Sequence, residues 1–255
     1  MIKTFKEGRL EVIVSESREE LGRLAAERIE KRINEILMHQ PEVRIIFAAA
    51  PSQDEVLHHL TMSKGIVWNR LVAFQMDEYI GLPKDAPQLF QNYLDQHLFS
   101  LVPFKKVNRI NSGSTGWSDE CKRYSRAVGE SPIDVICMGI GENGHIAFND
   151  PGVADFGDKE IMKVVKLDEA CRIQQVNDGC FANVGAVPQY AYTLTVPTLF
   201  SGRHLFASVP GIRKAKAARD TIKGPINENC PATILRDHHD AVLFLDKDSN
   251  SLLDS

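Results

Sequence analysis

A chain of 255 residues, 43% hydrophobic and 25% charged, is ordinary for a globular protein and long enough for one large α/β domain or two small ones. A formal net charge of −4 gives no support for nucleic-acid or anionic-membrane binding. No apolar run approaches the ~18 residues of a membrane span.

Leu10 to Val14 alternates and predicts a first strand. Ser15 or Ser17 can cap the helix predicted over 18–38, whose stripe includes Leu21, Leu24, Ala25, Ile29 and Ile33. Residues 43–50 form a buried strand that runs into a helix start, Pro51-Ser52-Gln53-Asp54-Glu55. A third strand over 71–74 leads into Gln75-Met76-Asp77-Glu78-Tyr79. A loop with Gly81, Pro83 and Pro87, suited to mobility, precedes a helix over 88–99. A short strand at 107–110, a helix at 117–128 and a buried strand at 133–138 follow. Residues 161–167 and 190–196 read as strands separated by an irregular segment. A strand at 204–209, a helix at 212–223 and a strand at 241–245 complete the pattern, and the tail 247–255 is expected to fray. Strands alternating with helices predict one domain over 1–255. The expected fold is a Rossmann-like, three-layer α/β fold, with a mostly parallel sheet covered by helices on both faces.

The most informative stretch is 133–152, IDVICMGIGENGHIAFNDPG. Gly139, Gly141 and Gly144 follow a predicted strand, and glycines there permit a sharp turn and close backbone approach to a ligand. His145 and Asp150 lie just beyond, at a strand's carboxyl end, where α/β folds bind ligands. The G-x-G-x-x-G spacing is not read as a dinucleotide site, because it lies outside the first βα unit and no strong helix follows. Two other strand ends carry polar residues. Ser52 sits at a helix start suited to phosphate, or merely caps that helix. Asp77 is a candidate general base, or a turn carboxylate. Lys214, near a helix start, is a phosphate anchor or a solvated lysine. The pairs His58-His59 and His238-His239 do not read as metal sites, since adjacent side chains diverge. Five scattered cysteines with no Cys-x-x-Cys pair read as reduced thiols, so no metal is expected. The N-terminus has no signal-peptide core, and the expected location is the cytoplasm.

Four segments, MDEYIGLP (76–83), GIGENGHIAFNDPG (139–152), VPQYAYTLTV (187–196) and GIRKAKA (211–217), resemble the glucosamine-6-phosphate deaminase/isomerase family, which is related to the 6-phosphogluconolactonases. The likeness runs over nearly the whole chain, and Tyr79 with Ala147-Phe148-Asn149 resembles the deaminase branch. The resemblance implies a deaminating aldose–ketose isomerase of amino-sugar phosphates that needs no metal or organic cofactor. Its implied substrate is glucosamine 6-phosphate or an epimer such as galactosamine 6-phosphate. Lactone hydrolysis of a 6-phosphosugar acid, or sugar-phosphate binding without catalysis, are the alternatives. Asp77 matches the family's proton-abstracting acid and His145 the ring-opening histidine. Asp150 falls where the family usually has an assisting glutamate. Ala50 and Ser52 lie in the phosphate loop, Lys214 matches a phosphate lysine, and Arg172 is the nearest candidate for a phosphate arginine. Gly139, Gly141 and Gly144 would present backbone N–H groups to developing negative charge. The chain departs from the family at Asn143, where an Asp is usual. An Asn can only hydrogen-bond, so the imidazole leans more on Asp150. Pro51 removes one N–H donor from the phosphate loop. The implied partner is a small sugar phosphate, with no nucleic acid and no membrane. Homo-oligomer formation is left open.

Overall fold

The computed structural model describes residues 2–253. Short, largely apolar strands joined by amphipathic helices build a sheet that is buried on both faces.

The chain opens with a hairpin, β1 (Lys3–Glu7) and β2 (Leu10–Ser15). Gly8 adopts φ +58° in its turn, a conformation that favours glycine. The sequence reading missed β1, an exposed edge strand with little apolar signal. Helix α1 (Arg18–Leu37) is capped by Ser17, whose side chain accepts from the Glu20 amide. Strand β3 (Val43–Phe47) leads through a 3₁₀ turn, Pro51–Gln53, into α2 (Asp54–Met62). Strand β4 (Leu71–Gln75) is followed at once by β5 (Asp77–Ile80). Helix α3 (Phe90–Leu94) continues as a π-helical stretch, Asp95–Phe99. Then come β6 (Lys106–Asn108), α4 (Trp117–Gly129), β7 (Val135–Met138), β8 (Met162–Lys166), α5 (Glu169–Asn177), β9 (Tyr190–Leu194) and α6 (Val196–Phe200). Strand β10 (His204–Val209), a 3₁₀ turn at Ile212–Lys214, α7 (Ala215–Lys223) and β11 (Ala241–Asp246) close the fold.

Eight strands form one sheet in the order β1-β2-β11-β10-β7-β3-β4-β6, parallel except for the opening hairpin. Alternate residues enter different cores. Val43, Ile45 and Phe47 of β3 face α1 and α2, whereas Ile46 joins Tyr124 of α4 and Ala218 of α7 on the opposite face. The expected mostly parallel sheet with helices on both faces is therefore present. Chain order reverses between β3 and β7, and a crevice opens there beyond the carboxyl ends of the strands.

Four expectations need correction. The strands expected at 161–167 and 190–196 do not join the main sheet: β8, β9 and β5 form a separate antiparallel sheet. The stretch between them is not irregular, because it contains α5, with Asp168 accepting from the Cys171 amide as its cap and Gly179 at φ +78° beyond its end. The strand expected at 107–110 starts one residue earlier, at Lys106, and ends two residues earlier, at Asn108. The tail does not fray through 253, since Ser249 and Asn250 are buried and the Ser249 amide donates to Asp246 Oδ1 at 2.8 Å. The last two residues of that tail lie outside the described residues.

Candidate active site

Four neighbouring parallel strands, β10, β7, β3 and β4, aim their carboxyl ends at one cleft. Ala50 and Ser52 enter it after β3, Asp77 after β4, Gly139, Gly141 and His145 after β7, and Lys214 after β10. Residues distant in sequence converge because parallel strands end on one side.

Asp77 opens β5 and pairs in register with Thr193 of β9. The Thr193 hydroxyl accepts from the Phe148 amide at 3.1 Å. Asn149, fully buried, donates to the carbonyls of Ile146 and Leu194. One strand of the small sheet thus fixes both the acid and the segment carrying His145. Asp77 makes no ion pair with a described residue. Burial, reinforced by the neighbouring Glu78 carboxylate, holds its carboxyl well above the usual range. Glu78 does not face the cleft. It accepts from the amides of Tyr79, Phe90 and Gln91 and from Gln75 Nε2, which ties the foot of the 81–89 loop to β5. Burial pushes its carboxyl up to about 7 against those four bonds.

The imidazole of His145 is held from behind. Its Nδ1 lies 2.8 Å from Asn143 Oδ1 and 2.9 Å from Asp150 Oδ1, both acceptors. Nδ1 therefore carries a proton, and Nε2 is the acceptor of the neutral ring. Asn143 Nδ2 donates to the same Asp150 oxygen at 2.9 Å. Burial pushes the Asp150 carboxyl up, but the bonds from His145, Asn143 and Cys171 outweigh it and hold it below the usual range. Asp150 is 1% exposed and does not line the cleft, so its carboxylate meets the histidine and not the open space. Ala147 adopts φ +50°, the one positive φ at a non-glycine among the described residues, and it too lines the cleft.

Lys214, which lines the same cleft, is buried and its ammonium makes no ion pair with a described residue. Burial lowers its pKa, partly countered by Asp178 and Glu142. Ser52 Oγ accepts from Gln53 Nε2 at 3.1 Å. Gly139 admits this loop closely: a β-carbon there would lie 3.1 Å from Gln53 Nε2 and 3.4 Å from Ser52 Oγ.

Three sequence expectations fare differently. Arg172 does not reach the cleft, because its guanidinium donates to the carbonyls of Val184 and Val187. Gly144, at φ +86°, packs against Cys230 and shapes the turn instead of lining the cleft. The amides of Gly141 and Gly144 are already used within the turn, donating to the carbonyls of His145 and Gly141, so they are not free for developing charge. Sequence reasoning missed Gln174, Gln175 and Asp178, which α5 places along the cleft. The Asp168 cap and the Gly179 stop were the signals that could have found that helix.

His145, Asp150 and Cys171 bring potential metal-ligating atoms within 4.8 Å of one another. Their donor types suit zinc, but the three groups already hydrogen-bond among themselves.

Residues 16–244 match the profile of the family described as glucosamine-6-phosphate isomerases/6-phosphogluconolactonase. A glucosamine-6-phosphate deaminase of Listeria innocua is 33% identical over 244 residues, covering 96% of this chain and 100% of the relative. One from Lactobacillus helveticus is 32% identical, covering 96% and 98%. Among solved structures, a monomeric glucosamine-6-phosphate deaminase superposes with a TM-score of 0.85 at 28% identity, covering 94% of this chain and 99% of that one. A 6-phosphogluconolactonase from Thermotoga maritima shares the fold, with a TM-score of 0.74 at 19% identity over 92% and 99%.

Proposed function

The chain belongs to the glucosamine-6-phosphate isomerase/6-phosphogluconolactonase family. From that premise we propose that it is a deaminating aldose–ketose isomerase, converting glucosamine 6-phosphate, or an epimer such as galactosamine 6-phosphate, to the ketose 6-phosphate and ammonia. One observation carries the reading: Asp77 and His145 line one cleft together with the buried cation of Lys214.

The geometry suits each step. A 2-amino-aldose 6-phosphate is mostly a closed ring. His145, with Nδ1 protonated and Nε2 free to accept, takes the proton of the anomeric hydroxyl and returns one to the ring oxygen. Asp150, held ionised by its donors, stabilises the imidazolium in between. Asp77 then removes the C2 proton and delivers a proton to C1. A carboxylate of raised pKa is the stronger base for that transfer. The resulting ketose imine is hydrolysed by water, which releases ammonia. Lys214 and Ser52 hold the phosphate, and this remote binding energy fixes C2 against Asp77.

The chain is read as one domain of this family over 1–255, supported by a profile match that spans most of it. A cytoplasmic location belongs to the same proposal. It is supported by the five free cysteines, and no helix among the described residues is long and apolar enough to cross a membrane.

The test is ammonia release with glucosamine 6-phosphate and galactosamine 6-phosphate, while fructose or tagatose 6-phosphate is followed. Turnover of either amino sugar is the expected outcome and chooses the epimer. No ammonia from either, beside opening of a 6-phosphogluconolactone, would replace this reading with the lactonase one.

A further inference from the structure

Arg213 lies one residue before the phosphate anchor of the proposed function, and it gathers the negative groups around that lysine. Its Nη2 donates to Asp178 Oδ1 at 2.7 Å and its Nη1 to the Asn177 carbonyl at 2.6 Å. Its Nε lies 3.3 Å from Glu142 Oε1, a contact whose alignment is not that of a hydrogen bond, so the pairing is electrostatic. Gln174 completes the link: its Oε1 accepts from the Glu142 amide, and its Nε2 reaches Asp178 Oδ2 at 3.4 Å. The guanidinium thus bridges the C-terminal end of α5, the glycine turn and the start of α7.

We propose that Arg213 is a positioning residue that opens the cleft to a phosphate dianion, by neutralising Asp178 and Glu142 beside Lys214. The inference rests on the reading of Lys214 as the phosphate anchor. Asp178 and Lys214 both line the cleft. With Arg213 in place, two cations balance two carboxylates. Without it, one lysine faces two acids and the local charge turns negative where a dianion must enter. Lys214 is buried while Arg213 and Glu142 are partly exposed, so solvent and salt screen that imbalance only in part. The side chain of Arg213 is 52% exposed, so its ion pairs add little to folding stability. Only a planar fork reaches two carboxylates and a carbonyl together, so a lysine would serve partially.

The experiment compares wild type, Arg213→Ala, Asp178→Asn, Arg213→Ala/Asp178→Asn and Arg213→Lys. Calorimetric titration with inorganic phosphate is run beside steady-state kinetics with glucosamine 6-phosphate, on variants whose melting confirms folding. Arg213→Ala is expected to weaken phosphate binding roughly tenfold or more, to raise KM with a smaller change in kcat, and to lose most at low ionic strength. Arg213→Lys should fall between. Adding Asp178→Asn to Arg213→Ala should recover most of the loss, because it removes the offending charge without rebuilding the bridge. Two results overturn the proposal: phosphate binding unchanged in Arg213→Ala, or a double variant as weak as Arg213→Ala, which marks a mere latch on α5. A wild type that turns over amino-sugar phosphate yet binds no inorganic phosphate refutes the anchor role of Lys214 and this inference with it, while leaving the reaction assignment standing.

Discussion

Gly141 and His145 are stacked so closely that a β-carbon on Gly141 would fall 2.2 Å from Cε1 of the imidazole and 2.3 Å from Nε2. The absence of a side chain at 141 is therefore what lets the ring lie against the glycine turn. The ring cannot swing aside freely, because Asn143 and Asp150 grip its Nδ1. Gly141→Ala is expected to lower kcat by roughly 100-fold through displacement of the ring. Ammonia release at saturating substrate checks this, and an unaltered kcat would mean that the ring relocates without consequence.

Asp77 should dominate the acid side of the pH profile. Its carboxyl is raised by burial and by Glu78, and only the ionised form removes a proton. As pH falls through that raised value the base is lost, so kcat/KM declines at a pH well above the ordinary carboxylate range. Asp77→Asn should remove ammonia release while leaving sugar-phosphate binding near normal. Retained turnover in that variant would move the proton transfer to another group.

Asn143 and Asp150 are matched as donor and acceptor at 2.9 Å. Asn143→Asp would place two carboxylates at that distance, and like charges so close cannot both stay ionised. One would keep a proton until the pH is raised, a titration that the Asn143–Asp150 pair does not have. The expected outcome is a pH–rate profile with an added limb that the wild type lacks. Superimposable pH–rate profiles for the two proteins would show that this pairing has no catalytic weight.

Lys214→Ala should mainly raise KM, by roughly 10- to 100-fold, since a buried anchor contributes to substrate and transition state alike. A large fall in kcat at unchanged KM would assign the lysine a role beyond anchoring.

Glu78→Ala would strip the acceptor from three amides and Gln75 Nε2 in a buried site. The expected destabilisation is about 3 kcal/mol or more, read by denaturant unfolding, because unsatisfied buried donors cost their full desolvation. The foot of the 81–89 loop would be released with it. A loss below about 1 kcal/mol would show that water replaces the carboxylate there.

The sequence by itself determined the parallel sheet and the chemistry at its strand ends. Predominantly apolar runs such as 43–47, broken only by Arg44, and 135–138 are stable only when buried on both faces, and they announce a helix-covered sheet without reference to any distant residue. Asp77, His145 and Lys214 stood out as candidates because each lies shortly after such a run and parallel strands end on the same side, and the family resemblance gave them roles. Tertiary structure decided what depends on pairing between remote segments. Nothing local to β5, β8 or β9 says that they leave the main sheet for an antiparallel one of their own, since a strand's partner is set by hydrogen bonds across the fold. Helix α5 was hidden because its buried face carries Cys171, Gln174 and Gln175 in place of an apolar stripe, and with it went Gln174, Gln175 and Asp178. Arg172 and Arg213 show the same division. Sequence position favoured Arg172 for the phosphate, but its guanidinium reaches the carbonyls of Val184 and Val187, whereas Arg213 spans the cleft's rim. A long flexible side chain goes where acceptors await it, and only the folded chain places those acceptors.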